Sequence, residues 1–178
     1  MASAPYRCAI FTNSASFTQV VPVNQYIPAI YELVQNWDQN YVTDTNETYF
    51  SAPPPYSTIT VNQQASVMIT GYVTWWQGSA DRNLHLYVQL KRNGESFWNI
   101  IGGNSTGNFT TETATSWKST NVAMAYRLFK GDQVRLAYYV EPQNDGATTS
   151  ITIVPGIDAT VGRTVPAFVV TTVPIPKE

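Results

Sequence analysis

Four stretches of this chain alternate apolar and polar residues with a period of two, and that period, more than any other feature, limits what the chain can fold into. Residues 84–90, LHLYVQL, set Leu84, Leu86, Val88 and Leu90 against His85, Tyr87 and Gln89. Residues 133–140, QVRLAYYV, set Val134, Leu136, Tyr138 and Val140 against Arg135, Ala137 and Tyr139. VAMAYRL (122–128) opposes Val122, Met124, Tyr126 and Leu128 to Ala123, Ala125 and Arg127. ASVMITGYVTW (65–75) opposes Val67, Ile69, Val73 and Trp75 to Met68, Thr70, Tyr72 and Thr74. Consecutive side chains of a strand point to opposite sides, so each run predicts a strand with one face in a core and one outside it.

Turn chemistry separates the runs. RNGE (92–95), FKGD (129–132) and QNDG (143–146) supply the glycines that tight connections need at positive φ. SITIVPG and AFVVTTV read as further strands near the C-terminus. Only IPAIYELVQNW (27–37) carries a helical spacing, through Ile27, Ile30, Tyr31, Val34 and Trp37, and an irregular strand accounts for it equally well. Short, closely spaced strands with glycine-rich turns predict an all-β antiparallel sandwich of jelly-roll type. With no linker or composition break, 27–178 reads as one domain, and 1–26 as an N-terminal segment able to reach a partner.

Within VTWWQG (73–78), the same alternation separates two neighbouring tryptophans. Trp75 belongs with Val67, Ile69 and Val73 and enters the core. Trp76 shares the opposite face with Tyr72 and needs some other cover.

Charged residues make up 12% of the chain, about half the usual share. The net charge of −2 and the lack of any basic cluster exclude a nucleic-acid partner. Plentiful Thr, Asn, Gln and Tyr predict a surface of neutral hydrogen-bonding groups, as on extracellular or virion-surface proteins. The one cysteine, Cys8, rules out an internal disulfide and is expected to be a half-buried packing residue. MASAPYRCAIFTNSAS lacks the charged start and long apolar stretch of a secretion signal, and no run reaches membrane-spanning length. Synthesis in a cytoplasm, no signal peptide and no membrane partner are therefore expected, and on that expectation the sequons at Asn46, Asn104 and Asn108 stay unmodified.

In order, the turns and strands match a known plan. STITVNQQASVMITGYVTWW resembles the strand, turn and long strand that open tumour necrosis factor-like and complement globular-head-like jelly rolls. LHLYVQLKRNGE resembles the next strand with its Asn-Gly turn, and AYRLFKGDQVRLAYYV is similar to the strand, Gly-Asp turn and strand typical of that superfamily. IYELVQNWDQNYVTDTNETYFSAPPP resembles the upstream stretch, and the likeness spans roughly 27–173. ASV (65–67) departs from the family's Gly-x-Tyr, which sets the chain apart from the complement branch. The resemblance implies a jelly-roll homotrimer of the kind found in phage decoration and fibre proteins. It also implies that the long strand shares a sheet with the 122–128 strand. Tyr72, Trp76, Ala123 and Ala125 then form the trimer interface, large rings beside small hollows.

Catalytic motifs are missing. His85, the single histidine, has no GxSxG elbow or cysteine partner, and metal sites built from His and Cys are excluded by count. DTNET (44–48) and NDG (144–146) carry oxygen side chains without the pattern of a calcium loop, so no cofactor is expected and calcium lacks support. PPPY (53–56) matches a WW-domain ligand, but proline between strands also blocks edge pairing. The first function these readings support is a non-enzymatic virion protein on the capsid exterior, a trimeric capsid decoration (cement) or short head-fibre protein. Its partner is then the major capsid protein or another virion protein. The alternative is a recognition module that binds a receptor or host surface glycan through Tyr87, Trp98 and Tyr139. A hydrolase needs facing carboxylates, and the acids here fall mostly in turns.

Overall fold

The computed structural model of the protein describes residues 7–13, 17–34, 42–43, 49–77, 83–106, 116–141, 151–153, 156–158, 162–164 and 167–173. The loops 44–48 and 144–146, Trp37, the sequons at Asn46 and Asn108, the tail 174–178 and the side chain of Trp76 lie outside that description.

Among the described residues sixteen strands follow one another: β1 (Arg7–Thr12), β2 (Gln19–Val21), β3 (Tyr26–Pro28), β4 (Leu33–Val34), β5 (Val42–Thr43), β6 (Phe50–Ser51), β7 (Ile59–Val61) and β8 (Ala65–Gln77). Then come β9 (Leu84–Lys91), β10 (Asn99–Thr106), β11 (Ser116–Leu128), β12 (Gln133–Val140), β13 (Ile151–Ile153), β14 (Gly156–Asp158), β15 (Gly162–Thr164) and β16 (Ala167–Thr172). The larger sheet runs β2-β13-β8-β16-β1-β4, with β11 along the other edge of β8 and β5 parallel to β1. The smaller runs β10-β9-β12-β7-β6, with β3 also on β12, and β14 and β15 make a separate ribbon. The result is an all-β antiparallel sandwich, with no helix among the described residues.

Residues 27–34 are extended, which resolves the ambiguous helical spacing in favour of short strands. Residues 7–13 and 17–26 also belong to the sandwich. Strand β1 lies between β16 and β4, and Ala9, Phe11 and Val21 are core residues. The segment read from sequence as a partner-contacting arm thus supplies strands to the domain from Arg7 onward, because its alternate apolar side chains complete the larger sheet's inner face.

The inner faces follow the alternation. Val67, Ile69, Val73 and Trp75 of β8 are fully enclosed, as are Leu84, Leu86, Val88, Val134, Leu136 and Val140 from the opposing sheet. At one end Phe11 stacks on Phe168 with ring centroids 5.9 Å apart, and Tyr31 lies 6.3 Å from Phe11 and 6.2 Å from Phe168. Tyr56, the last residue of PPPY, packs its ring 6.1 Å from Phe11, and its carbonyl accepts from the Tyr31 N–H at 3.2 Å. The tyrosine of that motif is therefore engaged by its own domain, while Pro53, Pro54 and Pro55 are exposed. Cys8 is buried more completely than expected, and burial pushes its thiol pKa up, which makes it a packing residue rather than a reactive one.

Tyr31 and Tyr138 are both enclosed, and burial raises both phenols above their ordinary range. An acid whose pKa is raised by folding stabilises the fold fully below its unfolded pKa and loses that contribution as pH rises beyond it. The unfolded value for tyrosine is about 10. Urea midpoints are expected to be flat from pH 7 to 9 and to fall above about pH 10, and the pair Tyr31→Phe and Tyr138→Phe should reduce that fall.

The turn joining β11 to β12 carries the chain from one sheet to the other, and a single carboxylate organises it. Gly131 adopts φ 87°, and a Cβ there would meet Asn93 Cγ at 2.5 Å, so glycine is required on both counts. The adjacent Asp132 is buried. Its carboxylate accepts from the Phe129 N–H at 2.9 Å, the Asn93 N–H at 3.2 Å and Arg92 Nη1 at 2.5 Å. One side chain thus ties the β11–β12 corner to the turn that follows β9.

Candidate binding faces

Neither sheet's outer face is an ordinary solvated surface. On the larger sheet, antiparallel pairing puts Thr70 opposite Ala123 and Met68 opposite Ala125 on one side. On the other side it puts Thr70 opposite Val169 and Tyr72 opposite Ala167. The small residues leave an open hollow of about 290 Å³, lined by Thr70, Tyr72, Asn121, Ala123, Ala167 and Val169 among others. Ala123 and Ala125 are exposed and Met68 is 41% exposed. Tyr72, Ala123 and Ala125 therefore share one face, as their parity requires. Trp76 pairs through its backbone with Trp117 and Thr152, continuing the same strand.

The outer face of the smaller sheet carries an aromatic cluster. Parity brings His85 and Tyr87 of β9 beside Tyr139 of β12, and β3 adds Tyr26 directly opposite Tyr139. The Tyr26 and Tyr139 rings stack at 4.8 Å, Tyr26 lies 5.9 Å from Tyr87, and His85 stacks on Tyr87 at 5.5 Å. A Cβ on Gly103 would collide with the Tyr87 ring, so the glycine lets that ring lie over β10. The Tyr139 hydroxyl donates to Asn24 Oδ1 at 2.9 Å.

The cluster is polar at its edge. The Tyr87 hydroxyl lies 3.2 Å from His85 Nδ1, while His85 Nε2 lies 2.9 Å from Glu141 Oε1. That second contact is close but not aligned for a directed hydrogen bond. Asn83 Nδ2 donates to Glu141 Oε2 at 2.8 Å. This bond and the neighbouring imidazole hold the Glu141 pKa below the usual carboxylate range. The Tyr87 phenol is raised, first by burial and then by Tyr26, Glu141 and Tyr139.

Trp98 stands apart from this cluster. The Arg135 guanidinium lies 3.9 Å from its ring centroid and Lys91 Nζ lies 5.5 Å away, so the protein's own cations already use the indole. Arg135 Nε also donates to Gln89 Oε1 at 2.8 Å, and burial lowers the guanidinium pKa. Of the three aromatics read from sequence as ligand contacts, Tyr87 and Tyr139 come together and Trp98 does not join them. Tyr26, Asn24 and Glu141 escaped sequence reasoning. Their only signal was indirect: a tyrosine beside an unassigned segment, and polar residues flanking predicted strands.

Among the described residues, no three His, Cys, Asp or Glu side chains approach closely enough to hold a metal ion. Both ring nitrogens of His85 face partners on its own surface, Nδ1 the Tyr87 hydroxyl and Nε2 the Glu141 carboxylate.

No protein-family model matches the sequence, and no curated protein matches it either. Solved structures do match. Eiger TNF from S. frugiperda superposes with a TM-score of 0.68 at 12% identity, covering 98% of this chain and 97% of that one. Murine APRIL superposes with a TM-score of 0.55 at 8% identity, covering 93% of this chain and 98% of that one. At such low identity the likeness lies in the backbone and its topology, and the chain has the fold of a tumour necrosis factor-like jelly roll.

Proposed function

We propose that this chain is a non-enzymatic virion structural protein, a homotrimer that decorates a phage capsid or forms a short head fibre on its exterior. The observation that carries this reading is the outer face of the larger sheet. There Tyr72, Ala123 and Ala167 border an open hollow of about 290 Å³, and Met68 and Ala125 are exposed further along the same face. Small residues between larger ones let a second backbone approach closely, and a stable interface needs roughly 800 Å² from each partner. A heterologous contact made from this face closes into a ring when the rotation is threefold. The low share of charged residues favours association by buried area over association by charge. A sandwich whose single cysteine is buried and free folds without oxidation, which suits assembly in a reducing cytoplasm alongside a major capsid protein.

Two measurements test the reading. Native mass spectrometry at micromolar concentration is expected to show a species of three chains, and Ala125→Arg is expected to give a monomer with an unchanged circular-dichroism spectrum. A wild-type monomer would remove the trimer. Proteomics of purified phage particles addresses the virion role, which is lost if the chain never copurifies with them.

A further inference from the structure

We infer that the tyrosine cluster on the outer face of the smaller sheet is a saccharide-binding site, with Tyr26 as its platform and Asn24 and Glu141 as its polar rim. The inference is independent of the trimer, whose proposed interface lies on the other sheet. Tyr26 is 49% exposed, although one side of its ring is occupied by Tyr139. A flat ring held rigid from beneath presents its electron-rich face outward, and the partly positive C–H groups of a pyranose ring complement that face.

The rim supplies what sugar hydroxyls require. Asn24 sits in a turn at φ 60°, a left-handed conformation that asparagine tolerates better than most residues. It is pinned there twice: its N–H donates to the Val140 carbonyl at 2.9 Å, and its Oδ1 accepts from the Tyr139 hydroxyl. Its Nδ2 protons find no acceptor among the described residues, so an ordered donor remains beside the platform. Within the same cluster, Glu141 keeps a half-exposed carboxylate, oriented by Asn83 and His85, as a charge-assisted acceptor for hydroxyl protons.

That carboxylate also sets specificity. His85 faces Glu141 on one side and Tyr87 on the other, and the other described residues of the cluster, Tyr26, Tyr139, Asn24 and Asn83, are neutral. Among the described residues, an acidic sugar would place its charge against Glu141 with no cation of the cluster's neutral rim to compensate it. The site therefore takes neutral hexoses or N-acetylhexosamines and rejects sialic acid.

The experiment is saturation-transfer NMR and titration of the full chain with methyl glycosides of glucose, galactose, mannose and N-acetylglucosamine, with N-acetylneuraminic acid as the acidic control. Millimolar binding of at least one neutral glycoside is expected, with transfer strongest at its ring C–H protons and none to the acidic sugar. Tyr26→Phe should bind like the wild type, whereas Tyr26→Leu should weaken binding about tenfold. Asn24→Ala should weaken it about fivefold. Ala125→Arg should leave it unchanged whatever its effect on assembly. No binding by any neutral glycoside, equal binding by Tyr26→Leu in a correctly folded protein, or preference for the acidic sugar would each overturn the inference.

Discussion

Asp132→Ala is expected to destabilise the fold by about 3–5 kcal/mol, lowering the thermal midpoint by roughly 10 °C for a domain of this size. The carboxylate is buried and accepts three hydrogen bonds, two of them from backbone N–H groups that have no other partner in the turn. Alanine would leave those donors unsatisfied, and the Arg92 guanidinium would lose its counter-ion. Arg92 would then be held only by weaker contacts: Tyr126 and Phe129 rings 5.6 and 5.4 Å away, and the Tyr126 hydroxyl at 3.3 Å. Asp132→Asn retains an acceptor oxygen and should cost less. The comparison separates the turn's need for an acceptor from Arg92's need for a charge. Urea denaturation at one fixed protein concentration measures both variants without interference from assembly, and an Asp132→Ala protein as stable as wild type would refute the account of this corner.

Trp75→Ala should destabilise by a similar amount, about 3–5 kcal/mol, because it empties the largest fully enclosed side chain among the described residues. Trp75→Phe should cost about half of that or less. The indole Nε1 has no hydrogen-bond partner among the described residues, so phenylalanine removes volume but no polar contact. If Trp75→Phe proved as damaging as Trp75→Ala, the indole N–H would have an acceptor that this packing does not provide. The same urea titrations, monitored by far-ultraviolet circular dichroism, decide between the two.

These two residues also show how much of the molecule was legible before folding. The position of Trp75 inside the core follows from its even spacing with Val67, Ile69 and Val73. The glycine of the β11–β12 turn could be read from FKGD, since only glycine fits φ 87° beside Asn93 without strain. The burial of Asp132 could not be read. Its partner Arg92 lies 40 residues earlier in the chain, and no local pattern joins them. The outer faces divide in the same way. Tyr72, Ala123 and Ala125 share a face by parity and register, whereas Tyr26 reaches Tyr139 only because β3 pairs with β12. Trp98 looked like an exposed aromatic in the sequence, and only folding placed Arg135 on its ring.

What the sequence determined by itself was the inside and outside of each strand, because alternation is a property of the extended backbone and needs no distant partner. What the tertiary structure decided was who stands next to whom: Asn24 under the hydroxyl of Tyr139, 115 residues away, and the first strand between β16 and β4. Those neighbours depend on the pairing of segments far apart in the chain, which is selected by the packing of the whole sandwich and leaves no periodic trace in any one of them.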